Sequence, residues 1–254
     1  MRVFSRALTR RPGRSLADGI STAGLGKPSL ELAKAQHRAY VRALEDCGLT
    51  VEVLAAADEY PDAVFIEDVA VCTPSCVILT RPGAVSRRGE AALIAADLAS
   101  RFDCVERIED GTLEGGDVMM VGTHFFIGLS DRTNAAGARQ MREILARHGL
   151  SGSTVSVAGM LHLKTGLSYL ENGVLLATGQ AAAHPQFADL RVLEVPHNEA
   201  HAANSVWVND RVVMPSGYPR TRARIEGAGY TVAEVDTSEF RKLDGGVSCL
   251  SLRY

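Results

Sequence analysis

Five short apolar stretches carry polar or ionisable residues where the core of a β-strand would ordinarily be apolar. They are Phe65-Ile66-Glu67-Asp68, Leu113-Glu114-Gly115-Gly116-Asp117, Leu161-His162-Leu163-Lys164, Ala203-Asn204-Ser205-Val206 and Val247-Ser248-Cys249-Leu250. Taken singly, each has an ordinary explanation: a lone Cys is a core thiol, and a lone His is a satisfied structural residue. Together they have the makings of a reaction. A Cys beside a His is a nucleophile–base pair, because the thiolate attacks and a neighbouring imidazolium lowers the thiol pKa. A carboxylate behind the His fixes its tautomer and stabilises its positive charge, a role open to Glu114. Glu67 and Asp68 add negative charge that acyl transfer to a carbonyl substrate does not need. Such acids suit a planar cation with several N–H donors, a guanidinium. Gly115-Gly116 and Gly245-Gly246 either allow close backbone approach beside the site or mark bulges and strand bends.

These residues act together only if the fold gathers them, and a repeat supplies the means. Strands are expected at Thr50–Leu54, Cys104–Ile108, Thr154–Val157, Arg191–Val195 and Thr231–Val235, at repeat-like spacing. Amphipathic helices precede them. The clearest has Leu30, Ala33, His37, Tyr40, Val41 and Leu44 on one face, with Ser29 as N-cap and Gly48 as the stop. Residues 134–148 repeat that plan before Gly149, residues 88–100 and 219–228 are shorter versions, and 180–189 is the weakest. Hairpins lie between, with turns at Thr73-Pro74-Ser75, Gly122-Thr123, Asn172-Gly173 and Asn209-Asp210. The unit is therefore strand, strand, helix, strand. Four copies fill residues 64–235, and the fifth is split, with Gly246–Tyr254 supplying its first strand and Val3–Leu8 its second. A unit shared between the two ends implies a closed ring, since an open solenoid needs caps. The expected fold is α/β: a five-bladed, pseudo-symmetric α/β propeller of ββαβ units, one catalytic domain over residues 1–254. The polar residues of the first strands then converge near its axis.

Composition narrows the function. The 254 residues are 46% hydrophobic and 22% charged, with a net charge of −3 and 6% aromatics. No electrostatic footprint for nucleic acid or an anionic membrane follows, and stacking platforms for single strands are scarce. A small-molecule substrate is expected. Five Cys (Cys47, Cys72, Cys76, Cys104, Cys249) in a chain of this size fit a reducing compartment, with most thiols in the core. Cys72 and Cys76 suggest a metal pair, but no second Cys/His pair at finger-like spacing accompanies them. Arg2, Arg6, Arg10, Arg11 and Arg14 in an acid-free leader match either a mitochondrial transit segment or an ordinary first strand. Cytoplasm is the expectation. No cofactor is implied, because no phosphate-binding Gly loop follows a strand.

The sequence resembles the dimethylarginine dimethylaminohydrolases, among the guanidino-group-modifying enzymes of pentein fold. The resemblance runs essentially end to end and is densest in residues 60–68, 81–89, 113–117, 161–165 and 243–249. It implies hydrolysis of Nω-methylated arginines to citrulline and dimethylamine or methylamine. It also implies residue roles. Cys249 is the nucleophile, and His162 is the acid for the leaving amine and then the base for water, oriented by Glu114. Asp68 and Glu67 hold the guanidinium, with Asp62 nearby on the substrate. Arg87 and Arg132 engage the amino acid end, helped by the backbone of Leu243. Residues 15–27 are a mobile lid bearing Ile20, a position that is commonly Leu in the family. No metal is required, although Cys249, His162 and the acids would ligate an inhibitory zinc.

Two rival readings remain. An arginine deiminase uses the same constellation on unmethylated arginine, but in a longer chain with a helical insertion. A non-catalytic five-bladed factor, such as the ribosome anti-association factor of archaea and eukaryotes, would lack the Cys–His pair. A homodimer is a reasonable assembly.

Overall fold

The structure is a computed structural model that describes residues 3–157 and 159–254; Arg2 of the basic leader lies outside that range. Local chemistry sets its elements. Ser29 opens α1 (Leu30–Asp46) by accepting the Leu32 N–H, and its own N–H is taken by Glu239 Oε2 at 2.6 Å. Gly48 ends that helix in the left-handed region at φ +86°, a conformation that costs glycine little. The strands before α2 are β1 (Arg6–Arg10), β2 (Thr50–Leu54), β3 (Ala70–Cys72) and β4 (Val77–Leu79). Then come α2 (Arg88–Ala99), β5 (Val105–Arg107), β6 (Val118–Val121), β7 (His124–Leu129), α3 (Ala135–Arg147) and β8 (Ser151–Ser156). The rest are β9 (Leu167–Tyr169), β10 (Val174–Ala177), β11 (Arg191–Glu194), β12 (Val206–Val208), β13 (Arg211–Pro215), α4 (Pro219–Gly227), β14 (Thr231–Val235), α5 (Ser238–Arg241) and β15 (Leu252–Arg253).

These strands form five three-stranded sheets: β15-β1-β2, β3-β4-β5, β6-β7-β8, β9-β10-β11 and β12-β13-β14. In each, the middle strand pairs antiparallel with the first and parallel with the last. The two ends of the chain share one sheet, with Ala7 opposite Arg253 and Leu8 opposite Leu252. Helices and neighbouring sheets share their cores. Tyr40 and Leu44 of α1 pack with Val208 and Val213 of the β12-β13-β14 sheet, and Ile94 and Leu98 of α2 pack with Leu8 and Leu252. Each sheet is thus buttressed by its neighbour.

Two expectations need correction. Residues 180–189 hold two short 3-10 turns, Gly179–Ala183 and Pro185–Phe187, instead of an α-helix; Pro185 has no N–H to continue a helix. The first strands are also shorter than expected. The polar stretches 65–68, 113–117, 161–164, 203–206 and 247–250 lie on or beside 3-10 turns that precede β3, β6, β9, β12 and β15. A strand would send Glu67 and Asp68 to opposite faces. The turn instead keeps both buried, at 4% exposure each.

Candidate active site

The inner turns are stitched to one another by side chains that accept backbone N–H bonds. Asp68 Oδ1 takes the Gly116 N–H at 3.0 Å, and Asp117 Oδ1 takes the Leu163 N–H at 2.9 Å. Ser168 Oγ takes the Ser205 N–H at 2.9 Å, and Asn204 Oδ1 takes the Ser248 N–H at 2.8 Å. Ser248 Oγ then donates to Glu67 Oε2 at 2.7 Å, which returns to the starting turn. Buried polar groups need such partners. Asp117 and Asn204, which the sequence offers only as members of polar stretches, thus link successive turns in the same way as Asp68.

His162 sits at the centre of the acids. Its Nε2 lies 2.7 Å from Glu114 Oε2 and 3.9 Å from Asp68 Oδ1. Burial alone would lower the imidazole pKa, but the Asp68 charge and the Glu114 hydrogen bond outweigh it and raise it to about 9. The ring is therefore an imidazolium at neutral pH. Asp68, opposed by burial but favoured by His162 and Arg87, is held below the usual carboxylate range. Glu114 is 1% exposed, and its Oε1 takes the Ala84 N–H at 3.2 Å. The two glycines here are required by close approach. A Cβ on Gly115 would stand 2.0 Å from the Glu67 carbonyl oxygen, and one on Gly116 would stand 2.8 Å from Asp68 Oδ1 and the His162 ring.

Cys249 is placed on the turn Ser248–Leu250, where its Sγ accepts the Gly246 N–H at 3.4 Å. Burial, then the charges of Glu67 and Asp68, push its thiol up to about 12. At rest Cys249 is a neutral thiol among acids. Glu67 is engaged on both oxygens, by Lys164 Nζ at 2.6 Å and Arg253 at 3.5 Å on Oε1 and by Ser248 on Oε2.

The residues expected at the amino acid end fall into two groups. Asp62, Ile20 and Leu243 meet at the segment 15–27: Asp62 Oδ1 takes the Ile20 N–H at 3.0 Å, and a Cβ on Gly19 would touch both Asp62 and Leu243. That segment is docked further along by Thr22, whose N–H goes to Asp244 Oδ2 at 2.5 Å. Arg87 is buried deeper than its expected role suggests. Its guanidinium donates to Asp68, to Glu90 and to the carbonyls of Asp62 and Phe65, leaving one Nη1 hydrogen for a ligand. Arg132 is more available, with an 18% exposed side chain whose Nη1 lies 3.9 Å from Glu114 Oε1. Asp131 and Thr133 flank it and line, with Thr22 and Leu161, a groove of about 570 Å³.

Ligand atoms of Asp68, Glu114 and His162 lie within 4.8 Å of one another. His162 Nε2 is already bonded to Glu114 and Arg87 already neutralises Asp68, so the protonated ring fills the place a cation would take.

Comparison with known proteins decides what this arrangement belongs to. The family model for eukaryotic N,N dimethylarginine dimethylhydrolase matches residues 26–181. The N(G),N(G)-dimethylarginine dimethylaminohydrolase of Pseudomonas aeruginosa is 54% identical over 255 residues, covering 99% of this chain and 100% of that one. The chain belongs to the dimethylarginine dimethylaminohydrolase family. A crystal structure of the Pseudomonas aeruginosa enzyme, a C249S variant complexed with citrulline, superposes with a TM-score of 0.98 at 53% identity, covering the whole of both chains. A dimethylarginine dimethylaminohydrolase H162G adduct with S-methyl-L-thiocitrulline superposes equally well, at 54% identity over 99% of this chain and all of that one. The N-terminal domain of ArgZ, at 24% identity and a TM-score of 0.88 over 98% and 97% of the two chains, shares the fold. The neighbours are α/β proteins of pentein type, and the five small sheets agree with five repeated units.

Proposed function

We propose that the chain hydrolyses Nω-methylated L-arginines, asymmetric dimethylarginine and monomethylarginine, to L-citrulline and dimethylamine or methylamine. The observation that carries this reading is the setting of Cys249: a half-buried thiol on the turn next to Ser248, which bonds Glu67, with the charges of Glu67 and Asp68 holding it neutral until a cation arrives to offset them. A guanidinium is such a cation, and its planar N–H edges match fixed carboxylates. Family membership and the citrulline complex of the 53% identical neighbour support the same chemistry.

In this reading Asp68 holds the guanidinium, and Glu67 adds charge and its remaining acceptor positions. Arg132 takes the α-carboxylate together with the one remaining Nη1 hydrogen of Arg87, while Asp62, Ile20 and the backbone of Leu243 close the amino acid end. The Cys249 thiol loses its proton to solvent when the cation binds, and its sulfur bonds to the guanidinium carbon. As the C–N bond to the methylated nitrogen breaks, the His162 imidazolium protonates the departing amine and leaves a thiouronium on Cys249. Neutral His162, oriented by Glu114, then takes a proton from water as the water oxygen bonds to that carbon. The C–S bond breaks, the remaining hydroxyl proton passes to the departing thiolate, and citrulline leaves with the Cys249 thiol restored. Two steps around a soft nucleophile suit a resonance-stabilised electrophile, and the fixed acids hold it in attack geometry.

The five sheets are read as blades of one closed α/β propeller, a single catalytic domain over residues 1–254. The shared terminal sheet and the hydrogen bonds that return from Ser248 to Glu67 support this reading. The free cysteines favour a cytoplasmic location, and a homodimer is the assembly we adopt. Among the described residues no helix is long and apolar enough to cross a membrane. Comparing kcat/KM for asymmetric dimethylarginine and for arginine tests the substrate. The methylated substrate should be strongly preferred; preference for arginine would establish the deiminase reading instead.

A further inference from the structure

A second cluster of ligating side chains lies apart from this site. Cys76 and Cys104 each immediately precede a strand, β4 and β5, and those strands pair in parallel with Val77 opposite Val105. The register therefore sets the two cysteines side by side. His148 follows α3, which packs in the same core as Cys76 and Cys104. The Sγ atoms of Cys76 and Cys104 and Nε2 of His148 all lie within 4.8 Å of one another, with Cys104 Sγ 4.0 Å from the His nitrogen. Glu106 stands outside that trio but beside its histidine, its Oε1 3.0 Å from His148 Nε2. Both thiols are free. The pair that sequence spacing suggests, Cys72 with Cys76, is thus not the pair that gathers a histidine; Cys104 takes the place of Cys72.

We propose that Cys76, Cys104 and His148, with Glu106 as the fourth ligand, form a binding site for Zn²⁺. Two sulfurs, one imidazole nitrogen and one carboxylate oxygen are donors zinc accepts in tetrahedral geometry, whereas Ca²⁺ and Mg²⁺ take oxygen. With Zn–S of about 2.3 Å and Zn–N of about 2.0–2.1 Å, a tetrahedral S–N edge is roughly 3.5 Å, so the 4.0 Å separation closes by about half an ångström. Cys76 is 2% exposed and is the inner ligand. The His148 and Glu106 side chains are 20% and 25% exposed, which leaves an entry from the surface. The ion displaces the proton between His148 Nε2 and Glu106 and releases the two thiol protons to solvent. It joins the β3-β4-β5 sheet to the end of α3, the helix of the next sheet, so it acts as a clip between neighbouring units, independent of the hydrolytic site.

Co²⁺ titration of reduced, chelator-stripped protein tests this, in a Cys249→Ser background so that the other reactive thiol contributes nothing. One Co²⁺ per chain should bind with thiolate-to-cobalt charge transfer and the intense visible bands of a tetrahedral ion, and one Zn²⁺ should displace it and raise the melting temperature. Cys104→Ala and His148→Ala should each weaken binding by more than about tenfold, whereas Cys72→Ala should leave it unchanged. With Cys249 restored, Cys104→Ala should turn over substrate normally, which shows that the variant folds. Absence of the charge-transfer band, or its persistence in Cys104→Ala, would overturn the site.

Discussion

At Cys249 and His162 the acids act in opposite senses. Desolvation, then Glu67 and Asp68, hold the thiol protonated, while Asp68 with Glu114 overcomes desolvation and holds the imidazole charged. Without substrate, alkylation of Cys249 by iodoacetamide should therefore keep accelerating as pH rises well past the ordinary thiol range; a rate that levels off near pH 7 would contradict the assignment. Replacing Glu114 by Gln removes the charge partner of the ring while keeping its shape. General acid–base steps are worth roughly 10²–10⁴-fold, and kcat for asymmetric dimethylarginine should fall by an amount in that range, with a smaller change in KM. Cys249, His162 and Glu114 were legible in the sequence because each interrupts an apolar stretch at an equivalent repeat position. Asp117 and Asn204 lie in the same stretches, but their partners, backbone N–H groups of the neighbouring turn, are signalled by no residue type. The depth of Arg87 was equally hidden: two carbonyls and Glu90 claim it, and only packing reveals that.

The element that matters most is the 3-10 turn at the entrance of each first strand. Periodicity placed the strands well, as Thr50–Leu54 and Thr231–Val235 show, but it extended them through the turns, since short apolar runs read as strand either way. The Glu114–Asp117 turn passes so close to His162 that Gly116 has no room for a methyl group. Gly116→Ala should destabilise the protein by about 1–3 kcal/mol through overpacking and lower kcat by displacing the imidazole, measured by chemical denaturation and turnover of the same sample. The segment 15–27 depends on acids from elsewhere. Asp244, left-handed at φ +59°, holds the Thr22 N–H and hydroxyl. Asp244→Gly keeps that backbone easily and removes the latch, so KM should rise several-fold, in keeping with loops that complete a site, without a lower melting temperature.

Over the whole molecule, the sheet shared by the two termini was legible because Gly246–Tyr254 and Val3–Leu8 each lacked a partner in their own stretch of chain, and β15 and β1 do pair. Buried histidines set its response to acid. His37 and His201 have no hydrogen-bond partner on Nε2, and burial, then nearby arginines, hold each at about 4. Their unfolded value is near 6.5. The unfolded chain therefore binds more protons between those values, and stability falls as pH drops through that window. His162 works the other way: its contribution is complete below pH 6.5 and is lost as pH rises through about 9. His37→Leu should flatten the decline of melting temperature between pH 6.5 and 4; an unchanged slope would mean that His37 is not neutral in the folded protein. The whole account rests on a covalent intermediate formed where the units converge. Acid-quenching the protein during turnover of asymmetric dimethylarginine and mapping its peptides by mass spectrometry tests it most directly. The account predicts a thiouronium adduct on Cys249 that is absent from Cys249→Ser, together with loss of citrulline release; citrulline production by Cys249→Ser at the parent rate would contradict it.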